Sequence, residues 1–187
     1  MKNIRSFQGV APTIGKRVFI DPSAIVIGQA TIGDDVALWP GVIVRADMHH
    51  ITIGPRTNIQ DGSVLHVTHA SDKTHPDGFP LIIGADITVG HRAMLHGCHI
   101  QDRCLIGMNT IIMDGAIVES EVIIGAGSLV SPGKVLESGY LYVGRPAVKV
   151  RPLNDAERAF IPYSVQNYCN LKDIYLKELE DGDTRGS

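Results

Sequence analysis

A chain of 187 residues with net charge −3, 44% hydrophobic and 20% charged residues carries enough apolar material for one folded domain with an appended helix. That balance excludes a disordered polymer, and its slight acidity argues against nucleic acid as a partner. No apolar run approaches the roughly 18 residues of a membrane helix, and the first six residues lack an apolar signal core, so no membrane partner and a cytoplasmic location are expected.

From Ile20 an aliphatic residue returns every six positions: Ile20, Val26, Ile32, Leu38, Val44. The pattern resumes at Ile53, Ile59 and Leu65, and again at Ile83, Val89 and Leu95. It then slips by one residue and runs from Ile100 to Val148, broken in type only by Tyr142. Gly often follows the repeat residue (Gly33, Gly54, Gly84, Gly107), and a small residue often stands four positions on (Ala24, Ala30, Ser63, Ala93, Cys104, Ala116). A period of six fits neither a helix nor a hairpin meander. It predicts an all-β solenoid in which each hexapeptide is a short strand and a turn, with three to a coil and coils stacked roughly 4.8 Å apart. The repeat resembles that of the hexapeptide-repeat superfamily, and the resemblance implies a left-handed parallel β-helix.

Residues 67–82 read as a polar loop excursion from the coil. After Pro152, Asn154 with Glu157 three residues later reads as a capping box that opens a helix running to about Glu180. Its apolar positions Phe160, Tyr163, Tyr168, Leu171, Tyr175 and Leu179 are expected to pack against the outside of the solenoid. The expected organisation is therefore a β-helix domain over residues 1–152 and a helix with tail over 153–187. Cys98 and Cys104 fall at turn or inward positions and read as packing residues; with Cys169 they make three cysteines, an odd number that suggests reduced thiols.

Repeat geometry turns sequence offsets into spatial ones. His66 and His96 each follow a third-face aliphatic by one residue, one coil apart, so they stack with parallel side chains and suit two ligands of one cation. Arg45 falls in the same column. His91 follows second-face Val89 by two residues, round a corner, with Asp61 beneath it. In an extended segment His91 and His96 are separated by roughly 15 Å, so one chain does not close the site. A neighbour related by a three-fold axis could supply His91, which makes a homotrimer the expected partner state. His49, His50, His75 and His99 read as surface polar residues, and His69 at the loop mouth is a weaker candidate for proton relay.

Arg45-Ala46-Asp47, Asn58-Ile59-Gln60-Asp61, Leu65-His66 and Val89-Gly90-His91 through Leu95-His96-Gly97 resemble the motifs of the gamma-class carbonic anhydrase family, most of all its bacterial YrdA-type members. The resemblance covers about residues 12–150 plus the helix. It implies a trimer with Zn²⁺, or another divalent metal such as Fe²⁺, Co²⁺ or Ni²⁺, bound by His66 and His96 of one chain and His91 of the next. It further implies reversible hydration of carbon dioxide to bicarbonate by a metal-bound hydroxide, with Gln60 orienting hydroxide or substrate and Arg45, Asp61 and Asp47 holding the interface and ligands. Two departures from the best-characterised members bear on proton export: Met48 stands where they carry a Glu after the Arg-x-Asp, and the 67–82 loop, acidic in them, has Asp72 and Asp77 but no Glu. Alternatives are a metal-binding member with little hydratase activity or another small substrate, and a hexapeptide acyltransferase, to which Val143-Gly144-Arg145-Pro146-Ala147 is also similar.

Overall fold

Short aliphatic pairs make the strands, with one residue of each pair turned inward and its predecessor outward. In the computed structural model, which describes residues 3–183, these strands wind into a left-handed parallel β-helix of about eight turns closed by one C-terminal helix. Inward residues stack in three columns. The first runs Ile32, Ile53, Ile83, Ile100, Val118, the second Leu38, Ile59, Val89, Ile106, Ile124, and the third Val26, Val44, Leu65, Leu95, Ile112, Val130. Every repeat residue from Val26 to Tyr142 is buried, as are the small residues four positions on. Each inward side chain fills a space between like neighbours above and below, so truncating one to Ala costs about 2–5 kcal/mol.

The hexapeptide register ends earlier than the sequence suggests. Val148 is 56% exposed, because the chain reverses after Tyr140–Val143 and Val148–Pro152 returns antiparallel along it. Tyr142 closes its column from inside, its hydroxyl accepting a hydrogen bond from the Glu137 amide at 2.8 Å.

Every departure from six-residue spacing lies at one corner, between the third face and the first. Val44 to Ile53 takes nine residues, Leu65 to Ile83 eighteen, and Leu95 to Ile100 five, whereas the other two corners keep strict hexads throughout the column. The first insertion bulges residues 47–50 out of the strand Ile43–Ile53, opposite Gln29 alone. The second is pinched at its base by an antiparallel bridge between Thr68 and Phe79. Its tip folds back onto the first, where His49 Nε2 meets the Asp77 carbonyl at 3.2 Å and His50 Nδ1 meets His49 Nδ1 at 3.0 Å. His49 and His50 are therefore half-buried and bonded rather than free surface decoration.

The helix, α1 (Asp155–Asp183), opens on a reciprocal capping box: the Glu157 amide donates to Asn154 Oδ1 at 2.8 Å, and the Asn154 amide donates to Glu157 Oε2 at 2.9 Å. It lies along the second face, but its contact stripe corrects the expected one. Tyr168 and Leu171 pack against Phe19, Ala37 and Trp39, and Tyr175 meets the Phe19 and Trp39 rings, whereas Phe160, Tyr163 and Leu179 are exposed. Ile161, Ser164, Val165 and Lys172 take the buried positions instead. Lys172 is fully buried; its ammonium donates to the Arg17 carbonyl and to Asp35 Oδ1, each at 3.1 Å, and also to Asp173. Helix packing here follows hydrogen-bond partners as much as hydrophobicity.

Candidate metal centre

The third face carries two clusters of the expected site residues, one along each edge. At its exit edge, His66 and His96 are register partners on adjacent coils, with ring centroids 5.0 Å apart and His66 Nδ1 3.0 Å from His96 Nε2. Each ring presents its other nitrogen to a carboxylate. His66 Nε2 lies 3.2 Å from Asp47 Oδ1, and His96 Nδ1 lies 2.5 Å from Asp114 Oδ1. Arg45 stands in the same column and donates to Asp47 Oδ2 at 2.7 Å. Partial burial works against ionisation of Asp47, but the hydrogen bonds from Arg45 and His66 outweigh it and hold the carboxyl below its ordinary value. Burial is also the main reason His66 is held below the usual imidazole value; Asp47 opposes it, and Arg45 and His96 add to it. A neutral imidazole is the form in which a histidine can act as a metal ligand.

At the entry edge, His91 Nδ1 lies 2.8 Å from Asp61 Oδ2, which leaves Nε2 free. Gln60 is buried beside them and donates from Nε2 to Asn58 Oδ1 at 3.3 Å. Asn58 in turn donates to Thr88 Oγ1, and Thr88 meets Ser164 of α1, each at 3.0 Å, so the helix steadies Gln60 through three buried polar groups. A groove of about 430 Å³ runs from His91 and Gln60 between the second face and α1, walled by Leu105, Ile123, Phe160 and Tyr168.

The expected site residues thus fall into two groups, His66, His96, Arg45 and Asp47 at one edge and His91, Asp61 and Gln60 at the other. Among the described residues no three metal-type side chains of the chain converge as one site, because only two of the three imidazoles share an edge. Between the edges, the outward residues of the third face are all apolar: Ile25, Ile43, Val64, Met94, Ile111 and Leu129 form one unbroken row.

Residues 11–46 and 97–132 match the family described as bacterial transferase hexapeptide (six repeats). Protein YrdA of Escherichia coli is 56% identical over 94% of this chain and 95% of its own length. Gamma carbonic anhydrase 1, mitochondrial, of Arabidopsis thaliana is 41% identical over 90% of this chain and 60% of its own length. The chain belongs to the gamma-class carbonic anhydrase family. A solved hexapeptide transferase family protein from Anaplasma phagocytophilum shares this gamma-class chain's fold, with TM-score 0.85 and 33% identity over 93% of this chain and 98% of that one.

The donor set of the histidine pair fits a divalent metal. Carboxylates accept hydrogen bonds, so Asp47 and Asp114 take the N–H of His66 and of His96. The remaining lone pairs, on His66 Nδ1 and His96 Nε2, then face each other at 3.0 Å. Two facing lone pairs repel unless a proton or cation lies between them, and tetrahedral zinc with N ligands at about 2.1 Å spaces them roughly 3.4 Å apart. Asp114 escaped the sequence reading. It follows third-face Ile112, the register partner of Leu95, by two residues, so it lies over Gly97, and the missing side chain there lets its carboxylate reach His96.

Proposed function

We propose that the chain is a zinc-dependent, carbonic anhydrase-like enzyme, working in the cytoplasm as a homotrimer, that interconverts carbon dioxide and bicarbonate. The observation that carries this reading is that each of the three histidines has one ring nitrogen on a carboxylate and the other available: His66 with Asp47, His96 with Asp114, His91 with Asp61. Metal-ligating histidines have this arrangement, in which the carboxylate fixes the tautomer and makes the free nitrogen a better donor.

The trimer reading is supported by the apolar row of the third face with a half-site on each of its edges. Covering that face against a three-fold neighbour would bring the entry edge of one chain to the exit edge of the next, so that His66 and His96 meet the neighbour's copy of His91. Three imidazoles leave one coordination position open, as catalytic sites do. Bound there, Zn²⁺ supplies Lewis acidity strong enough to activate water near neutral pH; Fe²⁺, Co²⁺ or Ni²⁺ suits the same nitrogens. The chain's own residues do the rest. Gln60, locked by Asn58, offers an amide to orient substrate beside His91, while Arg45 keeps Asp47 ionised and so keeps His66 turned toward His96. In such a trimer Arg45 and Asp61, on opposite edges of the third face, would pair across the interface.

A coenzyme A-dependent acyl transfer is the competing reading, favoured by the apolar groove beside His91. It needs one basic histidine and no metal, and so gives no account of three carboxylate-held imidazoles. Metal analysis of the purified protein, with carbon dioxide hydration followed by stopped flow, tests the two together. The expected result is close to one divalent ion per chain, lost in His66→Ala and His96→Ala, with hydration lost alongside. Full metal content in both variants, or acyl transfer from coenzyme A with no metal, would overturn the proposal.

A further inference from the structure

Asp114 has a place in the fold that packing alone does not explain. Its Oδ1 meets His96 Nδ1 at 2.5 Å, and its Oδ2 accepts from Thr68 Oγ1 at 2.8 Å. Thr68 is the base of the long excursion, held there by two backbone hydrogen bonds with Phe79 at 3.0 and 2.9 Å. Between Asp114 and His96 the chain passes through Gly97, at φ +49°; a Cβ there would stand 2.4 Å from Asp114 Oδ1 and 2.7 Å from Phe79 Cβ. The corner is thus one residue short and bare of a side chain at the point where the carboxylate must pass to reach the ring. The Gly97 carbonyl also accepts from the Gly115 amide at 2.7 Å, and the Asp114 carbonyl accepts from Gly133 at 2.9 Å, so the backbone on both sides is fixed.

We propose that Asp114 is a positioning residue that sets the tautomer and ring orientation of His96, with Thr68 anchoring it from the base of the excursion. With one oxygen on Thr68, the carboxylate cannot rotate away from His96. The imidazole then carries its proton on Nδ1 and turns Nε2 toward His66, the arrangement a shared cation requires. The excursion acquires a role in the same stroke: its base is the clamp on a ligand's support, and any movement of residues 69–78 that shifts Thr68 is felt at His96. This inference rests on the reading of His96 as a metal ligand.

The test uses the full chain. Ring ¹⁵N spectra of the chelated protein at pH 8 report the His96 tautomer without any metal, and competition against a chromophoric chelator reports Zn²⁺ affinity. Asp114→Ala is expected to shift His96 from Nδ1–H toward Nε2–H and to weaken zinc binding 10–100-fold. Asp114→Asn, which keeps an oxygen for His96 and an N–H for Thr68, is expected to retain the tautomer and lose less affinity. Thr68→Val should fall between wild type and Asp114→Ala. Asp102→Ala removes an Asp from a remote corner, where it accepts from the Ala85 amide at 2.8 Å, and should move neither readout. Persistence of the Nδ1–H form in Asp114→Ala, or zinc affinity within twofold of wild type, would overturn the proposal. A wild-type chain that binds no zinc, with the tautomer switch still seen in Asp114→Ala, would instead sink the metal reading and leave the Asp114–His96 linkage standing.

Discussion

Gly97→Ala perturbs the site without touching a polar group, and its cost can be worked against an internal control. Gly97 and Gly127 both adopt positive φ, +49° and +72°, so placing Ala at either costs about 1–2 kcal/mol of left-handed backbone strain. At Gly127 nothing lies within 4 Å of the new methyl, and the cost ends there. At Gly97 the methyl meets Asp114 Oδ1 at 2.4 Å and Phe79 Cβ at 2.7 Å. The carboxylate can swing aside, but only by leaving His96 and Thr68; a hydrogen bond to a charged group contributes about 1.5–3 kcal/mol net, and less where, as here, the carboxylate is 29% exposed. Phe79 Cβ cannot swing, because its backbone is bridged to Thr68. The difference between the two variants is therefore expected to be about 2–3 kcal/mol, or roughly 4–12 °C in melting midpoint for a domain of this size. Thermal unfolding at matched protein concentration reads it, because the midpoint of any protein that assembles depends on concentration. Zinc affinity should fall in Gly97→Ala alone. Equal melting shifts in the two variants would refute the account of this corner.

Gln60→Ala should lower hydration activity while metal content stays at wild-type level, because the amide is held by Asn58 and belongs to no ligand; loss of metal in this variant would contradict that role. Lys172→Met keeps the buried stem but removes the ammonium from Asp35 and the Arg17 carbonyl, and should destabilise the fold by about 1–3 kcal/mol in chemical denaturation. A cost below about 0.5 kcal/mol would show that the helix does not depend on this latch. Glu157 is held at about 2 by the Arg151 guanidinium first and the Asn154 amide second. A depressed carboxyl stabilises the native state above its unfolded value near 4.3, and that contribution disappears as pH falls through about 2. Carboxyl ¹³C titration should find Glu157 near 2 with α1 amides still protected at pH 4; a titration near 4.3 would mean the capping box is open.

The solenoid was legible because its inward column is fixed by geometry: one side chain in six must fill the axis, and Val26 through Leu136 do so with aliphatics. The same regularity makes His66 and His96 register partners on adjacent coils. Legibility failed where regularity failed. Val148 keeps the spacing but sits on a returning antiparallel strand, a reversal that period-six counting cannot see. On α1, aromatic character pointed to Phe160 and Tyr163, yet Ser164 and Lys172 are buried because Thr88 and Asp35 offer them partners on the second face. Asp114 was hidden because its register neighbour is Gly97 rather than a histidine, and it reaches His96 only across that bare position. Even so, all three irregular spacings fall at the corner that holds the histidine pair, so the breaks in the pattern were themselves a pointer to the site.

A mixing experiment bears most directly on the claim that the centre is shared between chains. His91→Ala and His66→Ala should each lack a ligand at every site when assembled alone. Co-refolded in equal amounts, an interface is complete where a His91→Ala chain, with its own His66 and His96, meets the intact His91 of a His66→Ala neighbour. Random assembly produces that pairing at about a quarter of interfaces, so metal content and hydration activity should recover to about a quarter of wild type. Mixed assemblies confirmed by mass spectrometry that recover neither metal nor activity would contradict the interfacial centre.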